Sequence, residues 1–183
     1  MPLSPLTLPQ LIFGTTITRS QQETFDLGYA IGRALESPKI FFLEGDLGAG
    51  KTVFAKGLIC GLGQPDPDDI PSPSFTLINE YLLRFKVFHV DLYRLETVQD
   101  LQSLDLEEIL AEPAVIIVEW AEKLGSKGLE DVILVKIDDL GGDNRKIEIQ
   151  LLIPGAFPQT ERGTQSGDSP LNLSEGDRGG KEG

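Results

Sequence analysis

Ile40-Phe41-Phe42-Leu43-Glu44-Gly45-Asp46-Leu47-Gly48-Ala49-Gly50-Lys51-Thr52 opens on an apolar run, turns on glycines and ends on Lys-Thr. A short, bounded run of large apolar residues predicts a strand buried on both faces, as in a parallel sheet. Gly45 to Thr52 then follow the spacing G-x-x-x-x-G-K-[ST], the P-loop pattern, which needs a strand before it and a helix after it. Val53, Phe54, Leu58 and Ile59 supply that helix, and it closes near Gly61 and Gly63, where glycine takes a left-handed cap. Backbone N–H groups and the positive end of the helix make such a loop a cradle for phosphate. Gly45, Gly48 and Gly50 remove side chains where the backbone turns and nears the ligand, with Asp46, Leu47 and Ala49 between them. Lys51 is placed to bridge β- and γ-phosphates, and the Thr52 hydroxyl to bind Mg²⁺. The alternative, a helix-capping loop with an incidental Lys-Thr, requires all the fixed positions and their setting to coincide by chance.

A magnesium-nucleotide site also needs a carboxylate at the carboxyl end of a neighbouring buried strand. Val87-Phe88-His89-Val90-Asp91 and Val115-Ile116-Ile117-Val118-Glu119 each offer one. Glu119 is the better metal-side acid, because its strand is purely aliphatic and reads as central; Asp91 then acts through water or as a positioning group. Either acid taken singly could instead be an N-cap or a surface ion pair. No Asn-Lys-x-Asp element for reading guanine occurs, which points to ATP. His89, the sole histidine, reads as a structural hydrogen-bonding residue in preference to a catalytic base. Arg94 could reach phosphate, pair with Glu96 or contact backbone. Trp120 is either core or binding surface.

Outward from the loop, Ser20-Gln21-Gln22-Glu23 is a capping box, and Leu27, Ile31 and Leu35 extend a helix over 21–36 that Ser37-Pro38 ends. Residues 64–73 hold four prolines and three aspartates and read as a surface loop. Strands are expected over 75–83 and 86–91, joined through a tight turn at Arg84-Phe85, over 114–118, and in a hairpin over 132–137 and 146–152. Helix is expected over 96–111, in one or two pieces. The sum is an α/β fold: a P-loop NTPase-like, mostly parallel sheet with added antiparallel strands and helices on both faces. The domain is expected over 15–153, with an N-terminal extension over 1–14. From 154 to 183 the chain has too little apolar material to offset its ordering entropy, and reads as a disordered tail.

The 183 residues, 40% hydrophobic and 25% charged, suit one domain. No apolar stretch nears the roughly 20 residues of a membrane span. Residues 1–14 contain three prolines and no Lys or Arg, unlike a signal peptide, so a cytoplasmic protein with no membrane partner is expected. Cys60, the single cysteine, excludes an internal disulfide and reads as a small apolar residue on a buried helix face. A net charge of −13 argues against a broad nucleic-acid footprint, so any RNA contact would come through a partner.

Taken together, Gly45 to Thr52, Ser72-Pro73-Ser74-Phe75-Thr76-Leu77 with Glu80-Tyr81, His89-Val90-Asp91-Leu92-Tyr93-Arg94-Leu95 and Glu119-Trp120 resemble the TsaE family over about residues 15–152. The resemblance implies an ATP-binding, slowly hydrolysing protein needed for bacterial tRNA threonylcarbamoyladenosine synthesis, acting with TsaB and TsaD. It implies Thr52 and Glu119 as Mg²⁺ ligands, Asp91 as an acid important to turnover, and Trp120 beside the site. It further implies a switch-like Ser-Pro-Ser-Phe loop near the γ-phosphate, Arg145 approaching the nucleotide, and Gln21 and Thr24 bordering adenine. Ser74 stands where the family commonly has threonine, and Ala121 where it frequently has proline. Two other classes compete: a small-molecule kinase with Asp91 as base, and a nucleotide-dependent binding module whose hydrolysis is incidental.

Overall fold

The computed structural model describes residues 13–97, 100, 104–124 and 131–152. Its elements run β1 (Gly14–Thr18), α1 (Gln21–Ala34), β2 (Ile40–Glu44), α2 (Lys51–Leu62), β3 (Ile78–Leu82), β4 (Lys86–Asp91), α3 (Leu106–Leu110), β5 (Val115–Glu119), β6 (Val132–Gly141) and β7 (Asn144–Leu152). Short 3₁₀ turns lie at Pro67–Asp69 and Ala121–Lys123. The strands form one sheet in the order β1-β7-β6-β2-β5-β4-β3. β6, β2, β5 and β4 are parallel, while β1, β7 and β3 join antiparallel. The expected mostly parallel α/β sheet with antiparallel additions is therefore the fold observed.

Alternation along the central strands divides the core. Phe41, Leu43, Val115, Ile117, Val135 and Ile137 pack beneath α1 and α2 with Ile31, Phe54 and Leu58. Phe42, Ile116, Val118, Phe88 and Val90 face the opposite layer, closed by Leu92, Leu95, Leu106 and Ala121. Burying both faces explains why Ile40–Glu44 and Val115–Glu119 read as continuous apolar runs.

α1 and α2 meet through glycines placed four apart on each helix, Gly28 and Gly32 against Gly57 and Gly61. A Cβ at Gly57 would overlap the Phe25 carbonyl oxygen, and one at Gly32 the Leu58 carbonyl oxygen. The helices are thus in backbone contact, which seats the α2 N-terminus above the sheet. Gly57→Ala is expected to lower unfolding free energy by about 1–3 kcal/mol, the usual cost of overpacking a filled contact, and denaturant titration checks it.

Several local expectations need correction. The helix expected over 21–36 ends at Ala34, where the Arg84 guanidinium donates to the Gly32, Arg33 and Leu35 carbonyls. Ser20 Oγ caps the Glu23 N–H as expected, but the Glu23 carboxylate accepts from Arg19 N instead of closing on Ser20. Phe75 is not in a strand: 73–76 is a turn, Leu77 has φ 64°, and β3 starts at Ile78. Leu82 pairs with Lys86, so the hairpin loop is Leu83-Arg84-Phe85, one residue longer than expected. The β6–β7 hairpin extends beyond its expected strands to a turn at Gly142-Asp143, with an irregularity between Asp139 and Gly141. β1, unforeseen, pairs with β7 from Gly14↔Ile149 to Thr18↔Arg145. Of the helix expected over 96–111, residues 98–99 and 101–103 lie outside the described residues, Asp100 is helical, and α3 occupies Leu106–Leu110. The extension expected over 1–14 lies outside them except for Phe13 and Gly14, as does the tail expected over 154–183. Among the described residues, no helix is long and apolar enough to cross a membrane.

Candidate functional site

β2 delivers the loop to the carboxyl edge of the sheet, and α2 leaves from Lys51. Gly45, Gly48 and Gly50 all have positive φ (142°, 81° and 108°), so each uses backbone space that a side chain would strain. Ala49 is buried, whereas Leu47 is 73% exposed at the rim. The Ala49 N–H bonds the Asp46 carbonyl, and the Phe54 N–H bonds the Gly50 carbonyl, so α2 begins directly out of the loop.

Lys51 is folded back on the loop. Its Nζ donates to the Gly45 and Asp46 carbonyls (2.6 and 2.9 Å) and lies 3.7 Å from the centroid of the Trp120 ring. Burial pulls the ammonium pKa below its ordinary value, and the charges of Glu119, Glu122, Asp91 and Asp46 oppose that shift. A partly desolvated cation surrounded by exchangeable carbonyl contacts is suited to receive phosphate oxygens.

Thr52 Oγ1 donates to Glu119 Oε2 at 2.7 Å, and the other carboxylate oxygen, Oε1, lies 2.8 Å from His89 Nε2. Strand register places Asp91 opposite Glu119 and His89 opposite Ile117, so both acids and the imidazole share one face of the β4–β5 pair. His89, Asp91 and Glu119 are buried, at 0, 4 and 2% exposure. Asp91 accepts from the Tyr93 N–H at 2.9 Å. Burial pushes its carboxyl pKa up; the Tyr93 hydrogen bond opposes this and Glu119 reinforces it. A hydroxyl and an anionic oxygen side by side form a hard-oxygen pair that fits Mg²⁺, which takes few protein ligands and completes its shell with water and phosphate.

A cleft of about 480 Å³ lies over this group, lined by the loop, Ser72, Ser74, Tyr93, Arg94 and Trp120. Trp120, left open by its sequence context, serves both roles. It has φ 61°, donates its N–H to the Leu43 carbonyl, packs on Tyr93 at 5.0 Å between centroids and borders the cleft. The Arg94 guanidinium stacks over Phe75 at 4.1 Å, a partner not foreseen for it. Arg145 bolts the β6–β7 turn to the loop, donating to the Ala49 carbonyl (2.9 Å), Asp139 and the Gly142 and Asn144 carbonyls. Gln21 and Thr24 lie with Arg145 around a small depression of about 50 Å³ beside the loop. The Thr24 hydroxyl is engaged by Thr18 Oγ1 at 2.7 Å, so it holds β1 to α1. Cys60 is buried and free, as expected, and burial raises its thiol pKa.

Lys123 and the His89–Glu119 contact escaped the sequence reading. Lys123 Nζ donates to the Leu92, Tyr93 and Leu95 carbonyls, clamping the segment after β4 to the turn after β5. Nothing in the spacing of one lysine signals this. The histidine could have been found: His89 and Asp91 alternate on one strand face, so an acid on the neighbouring strand is within reach.

Comparison with known proteins bears on this geometry. The profile of the family described as "Threonylcarbamoyl adenosine biosynthesis protein TsaE" matches residues 18–147. The chain is 36% identical over 133 residues to a tRNA threonylcarbamoyladenosine biosynthesis protein TsaE of Treponema pallidum, covering 73% of this chain and 97% of that protein. It is 42% identical over 135 residues to the protein of the same name from a Nostoc species, covering 69% of this chain and 78% of the relative. Among solved structures, Bacillus subtilis YdiB superposes with a TM-score of 0.60 at 29% identity, covering 75% of this chain and 84% of that one.

Proposed function

The chain belongs to the TsaE family of tRNA threonylcarbamoyladenosine biosynthesis proteins, and from that membership we propose that it binds ATP with Mg²⁺ and hydrolyses it slowly, in concert with TsaB and TsaD. The observation that carries this reading is the 2.7 Å contact between Thr52 and Glu119, beneath a loop with the phosphate-cradling spacing. Residues 15–153 carry the activity, in the cytoplasm. With a net charge of −13, the protein meets tRNA only through its partners.

The loop N–H groups from Gly45 to Thr52 and the Lys51 ammonium receive the β- and γ-phosphates, and Thr52 and Glu119 would hold Mg²⁺. When bound, Mg²⁺ offsets triphosphate charge and steadies the leaving oxygens. Lys51 must exchange the Gly45 and Asp46 carbonyls and the Trp120 face for phosphate oxygens. Water attacks the γ-phosphorus in line, oriented by Asp91, its new P–O bond replacing the bond to the β-phosphate oxygen and its proton passing to a phosphate oxygen or to solvent. Arg145 is committed to loop carbonyls and Arg94 to Phe75. Partners that supply a charge-stabilising group to P-loop proteins accelerate them by about 10³ to 10⁵, so the isolated chain is slow.

Trp120 is the only tryptophan, so its fluorescence reports departure of Lys51 from the ring. Titrating the full chain with ATP and with GTP, each with Mg²⁺ and with EDTA, tests the reading. A saturable change that favours ATP and tightens with Mg²⁺ supports it, and absence of any nucleotide binding refutes it. Phosphoryl transfer to a metabolite in place of water would favour a kinase instead.

A further inference from the structure

His89 is the most deeply buried titratable side chain of the site, and its ring cannot touch substrate or solvent. Its Nε2 meets Glu119 Oε1, and its Nδ1 is buried without a hydrogen-bond partner among the described residues. A carboxylate oxygen in this pairing accepts, so Nε2 is the donor, and an Nδ1 with no partner fits a bare acceptor. A bare acceptor is also the less costly group to leave unpaired, since orphaned buried N–H groups are rare. Tyr81, on β3 opposite Val87 and diagonal to His89 on the same face, carries the other buried side-chain polar atom without a hydrogen-bond partner among the described residues. Asn79, opposite His89, directs its amide to the Pro71 carbonyl and accepts from Thr76.

We propose that His89 is a positioning residue: by donating Nε2–H to Glu119 Oε1, it fixes the carboxylate so that Oε2 faces Thr52 and the metal position. This rests on reading Glu119 as a Mg²⁺ ligand. Glu119 exerts the strongest of the negative charges acting on Lys51. A carboxylate free to rotate would pair with that ammonium and occupy both groups the triphosphate needs. Held at both oxygens, from His89 on one side and Thr52 on the other, Glu119 keeps Lys51 available. Partners that orient a metal ligand in this way are worth about 10- to 100-fold in metal affinity or activity.

Two measurements on the full chain test the proposal. Nitrogen-15 NMR of the sole histidine, on the unaltered protein, is expected to show a protonated Nε2 and a bare Nδ1; the opposite tautomer would overturn it. The second measurement is the Mg²⁺ concentration giving half of the ATP-dependent Trp120 fluorescence change. His89→Phe, which keeps a ring and removes the donor, is expected to raise it about tenfold or more, with ATP affinity in EDTA unchanged. His89→Gln, which restores a side-chain N–H, is expected to recover most of the loss. An unchanged Mg²⁺ requirement in His89→Phe, or an equal loss of ATP affinity in EDTA, overturns the proposal. If His89→Phe does not fold, the tautomer and His89→Gln decide, an unrecovered Mg²⁺ requirement in the latter counting against it. A wild-type protein with no Mg²⁺-dependent ATP binding would overturn the reading of the site itself along with the proposal, a result distinct from a variant that matches the wild type.

Discussion

Lys51→Ala is expected to leave a folded protein whose ATP hydrolysis falls at least about 10²- to 10³-fold, the loss seen when one preorganised charge-stabilising donor is removed. Lys51 is 4% exposed, and its ammonium is held by the Gly45 and Asp46 carbonyls and the Trp120 face. Removing it leaves two loop carbonyls short of one donor each, a modest cost where the cleft admits water. It also removes the only side-chain cation in the loop, and the triphosphate then meets Glu119 and Asp91 without the ammonium that opposes them. The loss should appear in ATP affinity and in kcat together, because Lys51 contacts phosphate in the ground state and opposes the further charge that develops on those oxygens in the transition state. Single-turnover hydrolysis and a nucleotide titration separate the two. Turnover equal to wild type would remove Lys51 from the site.

Glu119→Gln should act differently. With His89 Nε2 donating, the carboxylate accepts on both oxygens. A glutamine amide has one acceptor, and the imidazole N–H cannot turn away, whereas the Thr52 hydroxyl can rotate to accept. The amide oxygen therefore faces His89 and the NH₂ faces Thr52, which sets a donor where Mg²⁺ needs an anion. Binding of ATP in EDTA should survive, its Mg²⁺ enhancement should disappear, and hydrolysis should fall by about 10²-fold or more. A Mg²⁺ titration of hydrolysis checks this. A variant with normal Mg²⁺ dependence would assign the metal to another acid, Asp91 being the adjacent candidate.

The parts of the fold legible in the sequence were those written in local pattern. The apolar runs at Ile40 and Val115, the glycine spacing after Leu43 and the acids closing two strands place the glycine-rich loop, Thr52, Asp91 and Glu119 on one edge of the sheet. Contacts between segments distant in sequence were not legible. Arg84 caps α1 across the domain, Lys123 clamps the segment after β4, and Gly57 meets the Phe25 backbone. Each is one residue whose partner is a backbone atom and therefore carries no sequence signal. Phe75 misled for the converse reason: its β propensity is overridden by a turn ending at Leu77, leaving the ring 79% exposed beneath Arg94. β1 was missed although Thr15-Thr16-Ile17-Thr18 is β-branched throughout, because a short edge strand lacks the apolar alternation that marks a buried one.

Steady-state ATP hydrolysis by the full chain, measured with Mg²⁺ alone and then with TsaB and TsaD added, addresses the proposed activity most directly. A slow basal rate that depends on Mg²⁺ and Lys51, and that rises by orders of magnitude when the two partners are present, is the expected result. Rapid hydrolysis by the isolated chain that the partners leave unchanged, or no hydrolysis under either condition, would contradict it.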